Sequence, residues 1–173
     1  MTLLDTIDQE SISKLCPYIQ RLLEGLRPII ENLDPLKISD DSKIEIVPLK
    51  NDWSLHIFIE PKDRNISALD IYASKSQCIL GYAESEQIED HADPSSDADS
   101  LIKQVVDHTA KYLNGVTVIE YFNRKNKLFM KKYYYGIDTE NDTGKLIGTG
   151  RNFLWFFSKV HVTKKHSYKF IKS

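Results

Sequence analysis

The stretch LIKQVVDHTAKYLNG, residues 101–115, decides the fold. Leu101, Val105, Thr109 and Tyr112, with Ile102, Val106 and Leu113 alongside, recur at the spacing of one face of an amphipathic helix. Ser96 followed by Asp99 resembles a capping box, and Asn114-Gly115 supplies a stop. A helix is therefore predicted over 99–113, with Val105, Thr109 and Tyr112 toward a sheet. His108 falls at the edge of that stripe, placed to hydrogen-bond rather than to ligate a metal.

On the N-terminal side the pattern has period two. Trp53, Leu55, Ile57 and Ile59 alternate with Ser54, His56 and Phe58, as in a half-buried strand. Residues 43–50, 66–73 and 77–83 read as three more strands, with turns at Asn51-Asp52 and Ser74-Lys75-Ser76. Connections this short favour antiparallel neighbours. Before them, Ile19, Leu22, Leu23, Leu26, Ile29, Ile30 and Leu33 form a second helical stripe. Pro17 suits its first turn, whereas Pro28 predicts a kink or break near Gly25, before a stop at Asp34-Pro35. Residues 3–15 read as a short preceding helix. On the C-terminal side, strands are predicted over 116–122, 128–135, 145–149, 153–162 and 168–171.

The expected class is α+β: one or more antiparallel sheets of roughly eight short strands with two amphipathic helices, in the order helix-β4-helix-β4/5. A chain of 173 residues, 41% apolar and 28% charged, buries roughly 70% of its extended surface. That suffices for one core, so residues 1–173 are expected to form a single domain. Its halves, 1–83 and 97–173, could be two α-β4 units joined by an acidic linker over 84–96. The N-terminus reads as neither a secretory nor a transit signal, and the longest apolar block is Phe153–Phe157. A soluble cytoplasmic protein is expected. Cys16 and Cys78 read as small core residues, without the helix-start or basic setting of an activated thiolate.

Charge divides the chain. Residues 1–100 hold 9 Lys/Arg and 20 Asp/Glu, and residues 101–173 hold 14 and 5. The acidic pole is sharpest at Glu84, Glu86, Glu89, Asp90 and Asp93, read as an extended, solvated linker. The basic pole interleaves Arg124, Lys125, Lys127, Lys131 and Lys132 with Phe129, Tyr133 and Tyr134. On a strand, Lys127, Phe129, Lys131, Tyr133 and Tyr135 share one face, opposite Leu128, Met130 and Tyr134.

Motifs for chemistry are missing. The glycines of Gly144–Arg151 fit neither phosphate-loop nor dinucleotide spacing, and no zinc-type ligand pair, calcium loop or nucleophile elbow occurs. No catalytic residue, metal or cofactor is expected, and the chain reads as a non-enzyme. The expected function is a soluble interaction module that binds another protein, a basic one, through Glu84, Glu86, Glu89, Asp90 and Asp93. An inhibitor or immunity-type protein has this charge layout. The alternative is nucleic-acid or polyanion binding through Arg124, Lys125, Lys127, Lys131 and Tyr133, cations for phosphates and a ring for bases.

Overall fold

A computed structural model describes residues 3–82, 85–90, 97–136, 146–151 and 159–172, with backbone alone at 85–90 and 150–151. The chain opens with a 3₁₀ turn (Leu3–Thr6) and a one-turn helix α1 (Gln9–Ser13). Asp8 caps α1, its carboxylate accepting from the Ser11 N–H at 2.6 Å. The first long helix, α2, spans Pro17–Glu31 and buries Tyr18, Ile19, Leu22, Leu23, Leu26 and Ile30.

α2 runs unbroken through Gly25 and Pro28, against the predicted break. Proline in a helix costs about 3 kcal/mol, whereas each buried side chain of the stripe returns roughly 1.5–3 kcal/mol. The carbonyl deprived of its partner belongs to Glu24, which is exposed and can bond water. Gly25 serves packing instead. A Cβ at that position would lie 3.0 Å from Val106 Cγ2 on the second long helix, α3 (Ala98–Asn114). The missing side chain lets the two helices approach.

Sheet 1 is a five-stranded antiparallel meander in sequence order: β1 (Lys43–Pro48), β2 (Trp53–Ile59), β3 (Leu69–Ser74), β4 (Gln77–Tyr82) and β5 (Ser85–Asp90). Leu55, Ile57, Ile59, Leu69, Ile71, Ala73, Cys78, Leu80 and Tyr82 line its buried face. Strand β5 corrects the linker reading of the acidic segment. Backbone pairing to β4 does not require apolar side chains, so a composition poor in strand formers yields to its neighbour.

α3 follows, within a residue of its predicted bounds, with Val105, Thr109 and Tyr112 all buried. Sheet 2 then has the order β8-β7-β6-β9, from β6 (Val116–Phe122), β7 (Leu128–Tyr135), β8 (Leu146–Arg151) and β9 (Val162–Tyr168). The chain returns across the sheet to lay β9 on the free side of β6, so the two sheets differ in strand order. β9 occupies the stretch between the predicted strands 153–162 and 168–171, where a turn was expected, and neither 159–161 nor 169–171 belongs to a strand. VTKKHSY has no apolar alternation and pairs through its backbone, with Val116 opposite Tyr168 and Glu120 opposite Lys164, joined by polar side-chain contacts such as that of the Ser167 and Thr117 hydroxyls at 3.0 Å. Residues 153–158 lie outside the described residues.

After β9 the chain is tied to both helix ends. The Phe170 N–H donates to the Leu113 carbonyl at 3.0 Å, the Asp34 N–H to the Phe170 carbonyl at 2.8 Å, and the Lys172 N–H to the Asn32 carbonyl at 2.9 Å. The Phe170 ring is buried against Tyr112 and Tyr168, with centroids 5.5 and 5.0 Å away. One hydrophobic cluster takes residues from α2, sheet 1, α3, sheet 2 and Phe170.

Candidate interaction surfaces

The acidic segment is a sheet edge. Among the described residues of sheet 1, β5 pairs with β4, Glu86 standing opposite Gly81, Glu89 opposite Ile79 and Asp90 opposite Cys78. A bulge between Leu80 and Gly81 adds a residue to β5 and sharpens its local twist. Glu84 and Asp93 lie outside the described residues. Beyond β5, the solvent face of sheet 1 carries a chain of ionisable side chains. Lys43 Nζ is 2.9 Å from Glu45, His56 Nδ1 is 4.0 Å from Glu45, and His56 Nε2 is 2.8 Å from Asp70. β5 runs beside β8 of sheet 2.

The basic segment divides differently from the expectation. The alternation along β7 holds, but the face carrying Phe129, Lys131 and Tyr133 is the inner one. Phe129 and Tyr133 are buried, and the Ser67 hydroxyl donates to that of Tyr133 at 3.1 Å. Tyr133 is therefore a core residue and no platform for a base. Lys131 is not a free cation either. Its ammonium sits 3.5 Å from the carboxylate of Glu120, which is buried, and the same carboxylate lies 3.4 Å from His166 Nε2. Burying a carboxylate is costly unless such partners stand beside it. Glu120 is the one acid between Asp107 and Asp138, and its isolation among cations is the sequence signal for this pair.

Arg124, Lys125 and Lys127 stay exposed on the β6–β7 turn. Asn123 builds the turn, its side-chain oxygen accepting from the N–H groups of Lys125 at 2.9 Å and Lys127 at 3.1 Å. Asn126 takes the left-handed conformation (φ 54°) that asparagine tolerates better than most residues. Val162 pairs with Phe122, and the His161 N–H reaches the Phe122 carbonyl at 2.9 Å, so the start of β9 lies beside this turn. Lys164 Nζ stands 4.8 Å above the Phe122 ring, and Lys132 Nζ stands 5.5 Å above Tyr121.

Sequence reading had no access to the junction of the two sheets. Tyr82 on β4, Tyr135 on β7 and His108 on α3 meet there. His108 Nδ1 lies 2.9 Å from the Tyr82 hydroxyl and 2.7 Å from that of Tyr135, and the two hydroxyls are themselves hydrogen-bonded. Burial pushes both phenols above the ordinary range, and for Tyr135 the bond from Tyr82 offsets part of the rise. Both stay protonated at neutral pH. One donates to the imidazole and the other to its fellow phenol, so His108 pins both sheets to α3, in keeping with its predicted hydrogen-bonding role.

Cys78 is buried, as expected, but Cys16 stands at the N-cap of α2, a helix-start setting the sequence reading denied it. Burial raises its thiol pKa, outweighing the N–H groups of Ile19 and Tyr18 that act against the rise. It is not an activated nucleophile. Among the described residues no group of three or more His, Cys, Asp or Glu could hold a metal ion. Nor is any described helix long and apolar enough to cross a membrane. No protein-family model, curated protein or solved structure matches the chain.

Proposed function

We propose that this chain is a non-catalytic binding module that docks a basic protein through Glu84, Glu86, Glu89, Asp90 and Asp93, as an inhibitor or immunity-type protein neutralising a basic effector does. The observation that carries this reading is the place of the acidic segment in a sheet. A free linker would have to be ordered on binding, whereas a strand on the β4 ladder already holds its residues in a fixed row.

The test is a triple reversal, Glu86→Lys, Glu89→Lys and Asp90→Lys, with partner capture and association kinetics measured beside thermal melts. Charges on an interface rim act mainly on encounter, so association should slow and lose its salt dependence while dissociation changes little. Equal capture by two equally stable proteins would refute the reading. A large fall in melting temperature would instead assign the carboxylates to internal pairing with the basic half.

A further inference from the structure

We propose that the β6–β7 turn end of sheet 2 binds single-stranded nucleic acid. This inference rests on sheet 2 alone and is independent of the acidic strand. Two separate pieces of chain bring cations to that end. Arg124, Lys125 and Lys127 are exposed on the turn, Lys159 is exposed just before β9, and Lys164 is exposed on it. The His161–Phe122 hydrogen bond holds the β9 side against the turn.

None of these five cations makes an ion pair among the described residues. Lys131, one turn of the pleat away, is neutralised by Glu120. Like charges collected without counter-charge among the described residues repel one another and destabilise the compact state. The arrangement makes physical sense when an external polyanion completes it. Phosphates do so, and releasing their condensed counterions supplies the driving force.

The Phe122 ring selects the single strand over the duplex. It is half-buried with the Lys164 ammonium over its face, while Tyr121, its neighbour on β6, points to the opposite face of the sheet and takes no part. An arriving phosphate draws the ammonium off the ring, and the vacated π-face accepts a base. Stacking of a base exceeds an exposed cation–π contact in strength, so the exchange is favourable. In a duplex the bases are stacked on each other and cannot use this ring.

The experiment is fluorescence anisotropy with a labelled oligothymidine, a duplex of equal length and heparin as competitor, across a salt series. Binding of the single strand is expected at about 50 mM salt, falling steeply as salt rises. The triple variant Arg124→Gln, Lys125→Gln, Lys127→Gln should weaken it at least tenfold. The slope of log affinity against log salt should flatten by about 2, the release expected for three lost contacts at ~0.7 each. Phe122→Leu should weaken binding about fivefold or more without changing that slope. Lys75→Gln, on the distant β3–β4 turn, should change neither, and melts confirm that each variant is folded. Absence of binding at low salt overturns the proposal, as does an unaffected triple variant. Equal affinity for duplex or heparin, or an unaffected Phe122→Leu, overturns the single-strand assignment and leaves an unselective polyanion patch.

Discussion

Replacing Gly25 by alanine sets two effects of known size against each other. In a helix interior the change by itself favours folding by roughly 0.5–1 kcal/mol, because alanine has less backbone freedom to lose. Here the new methyl group would stand 3.0 Å from Val106 Cγ2 and 3.9 Å from Ile102 Cγ2. Carbon atoms rest at about 3.5–4.0 Å, so one helix or one side chain must retreat by roughly half an ångström. Val106 cannot simply rotate away, because a β-branched residue in a helix is nearly confined to one rotamer. Overpacking of this kind costs about 1–3 kcal/mol. The clash therefore wins, and Gly25→Ala should destabilise by about 1 kcal/mol, lowering Tm by about 2–4 °C for a chain of this size. In a Val106→Ala background the obstacle is gone, and the same change should stabilise by up to about 1 kcal/mol. Urea denaturation of the wild type, both single variants and the double variant gives the coupling directly. A rise in stability for Gly25→Ala alone, or a coupling near zero, would refute the close α2–α3 contact.

Three further outcomes are expected. Phe170→Ala removes a buried ring that holds the C-terminal segment on Tyr112 and Tyr168, and should cost about 3–5 kcal/mol by chemical denaturation; a loss below 1 kcal/mol would show that the segment is peripheral. Tyr82 keeps its proton in the folded state at pH values where the unfolded chain, with an ordinary pKa near 10, releases it. Stability should hold below about pH 10 and fall as pH rises toward the folded-state value, with a shallower alkaline fall in Tyr82→Phe; identical alkaline limbs would argue against a buried phenol. Cys16 should react with a disulfide reagent at pH 8 more slowly than an unstructured cysteine, and Cys78 only on unfolding, so rapid modification of both would contradict their packing.

Side chains announced some elements and backbone created others, and the sequence was legible only where side chains spoke. α3 combines an apolar stripe with a stop signal, and it lies where those signals put it. The misreading of α2 arose because Pro28 and Gly25 are weighed locally as breakers, while the burial that overrides them is tertiary. β5 and β9 were missed or misplaced because EQIED and VTKKHSY resemble loops, and each is made a strand by a neighbour's unsatisfied N–H and C=O groups. On β7, alternation correctly separated two sets of residues. It could not say which set faces inward, since both contain aromatics and lysines, and so Tyr133 was taken for a surface ring. The meeting of Tyr82, His108 and Tyr135 depends on three elements far apart in sequence. Nothing local marks it.

The hydrogen bonds joining residues 32–34 to residues 170–172 also set a timetable for biosynthesis. A ribosome working at about 5–20 residues per second needs on the order of 7–30 s to travel from Asp34 to Phe170. Throughout that interval the end of α2 has been made but the strap that closes it has not. Sheet 1 can assemble on α2 meanwhile, because its strands follow one another as a meander. The nascent chain should therefore emerge as a partly folded body with an open seam, a natural client for a chaperone, and should become resistant to protease only after Phe170 clears the exit tunnel.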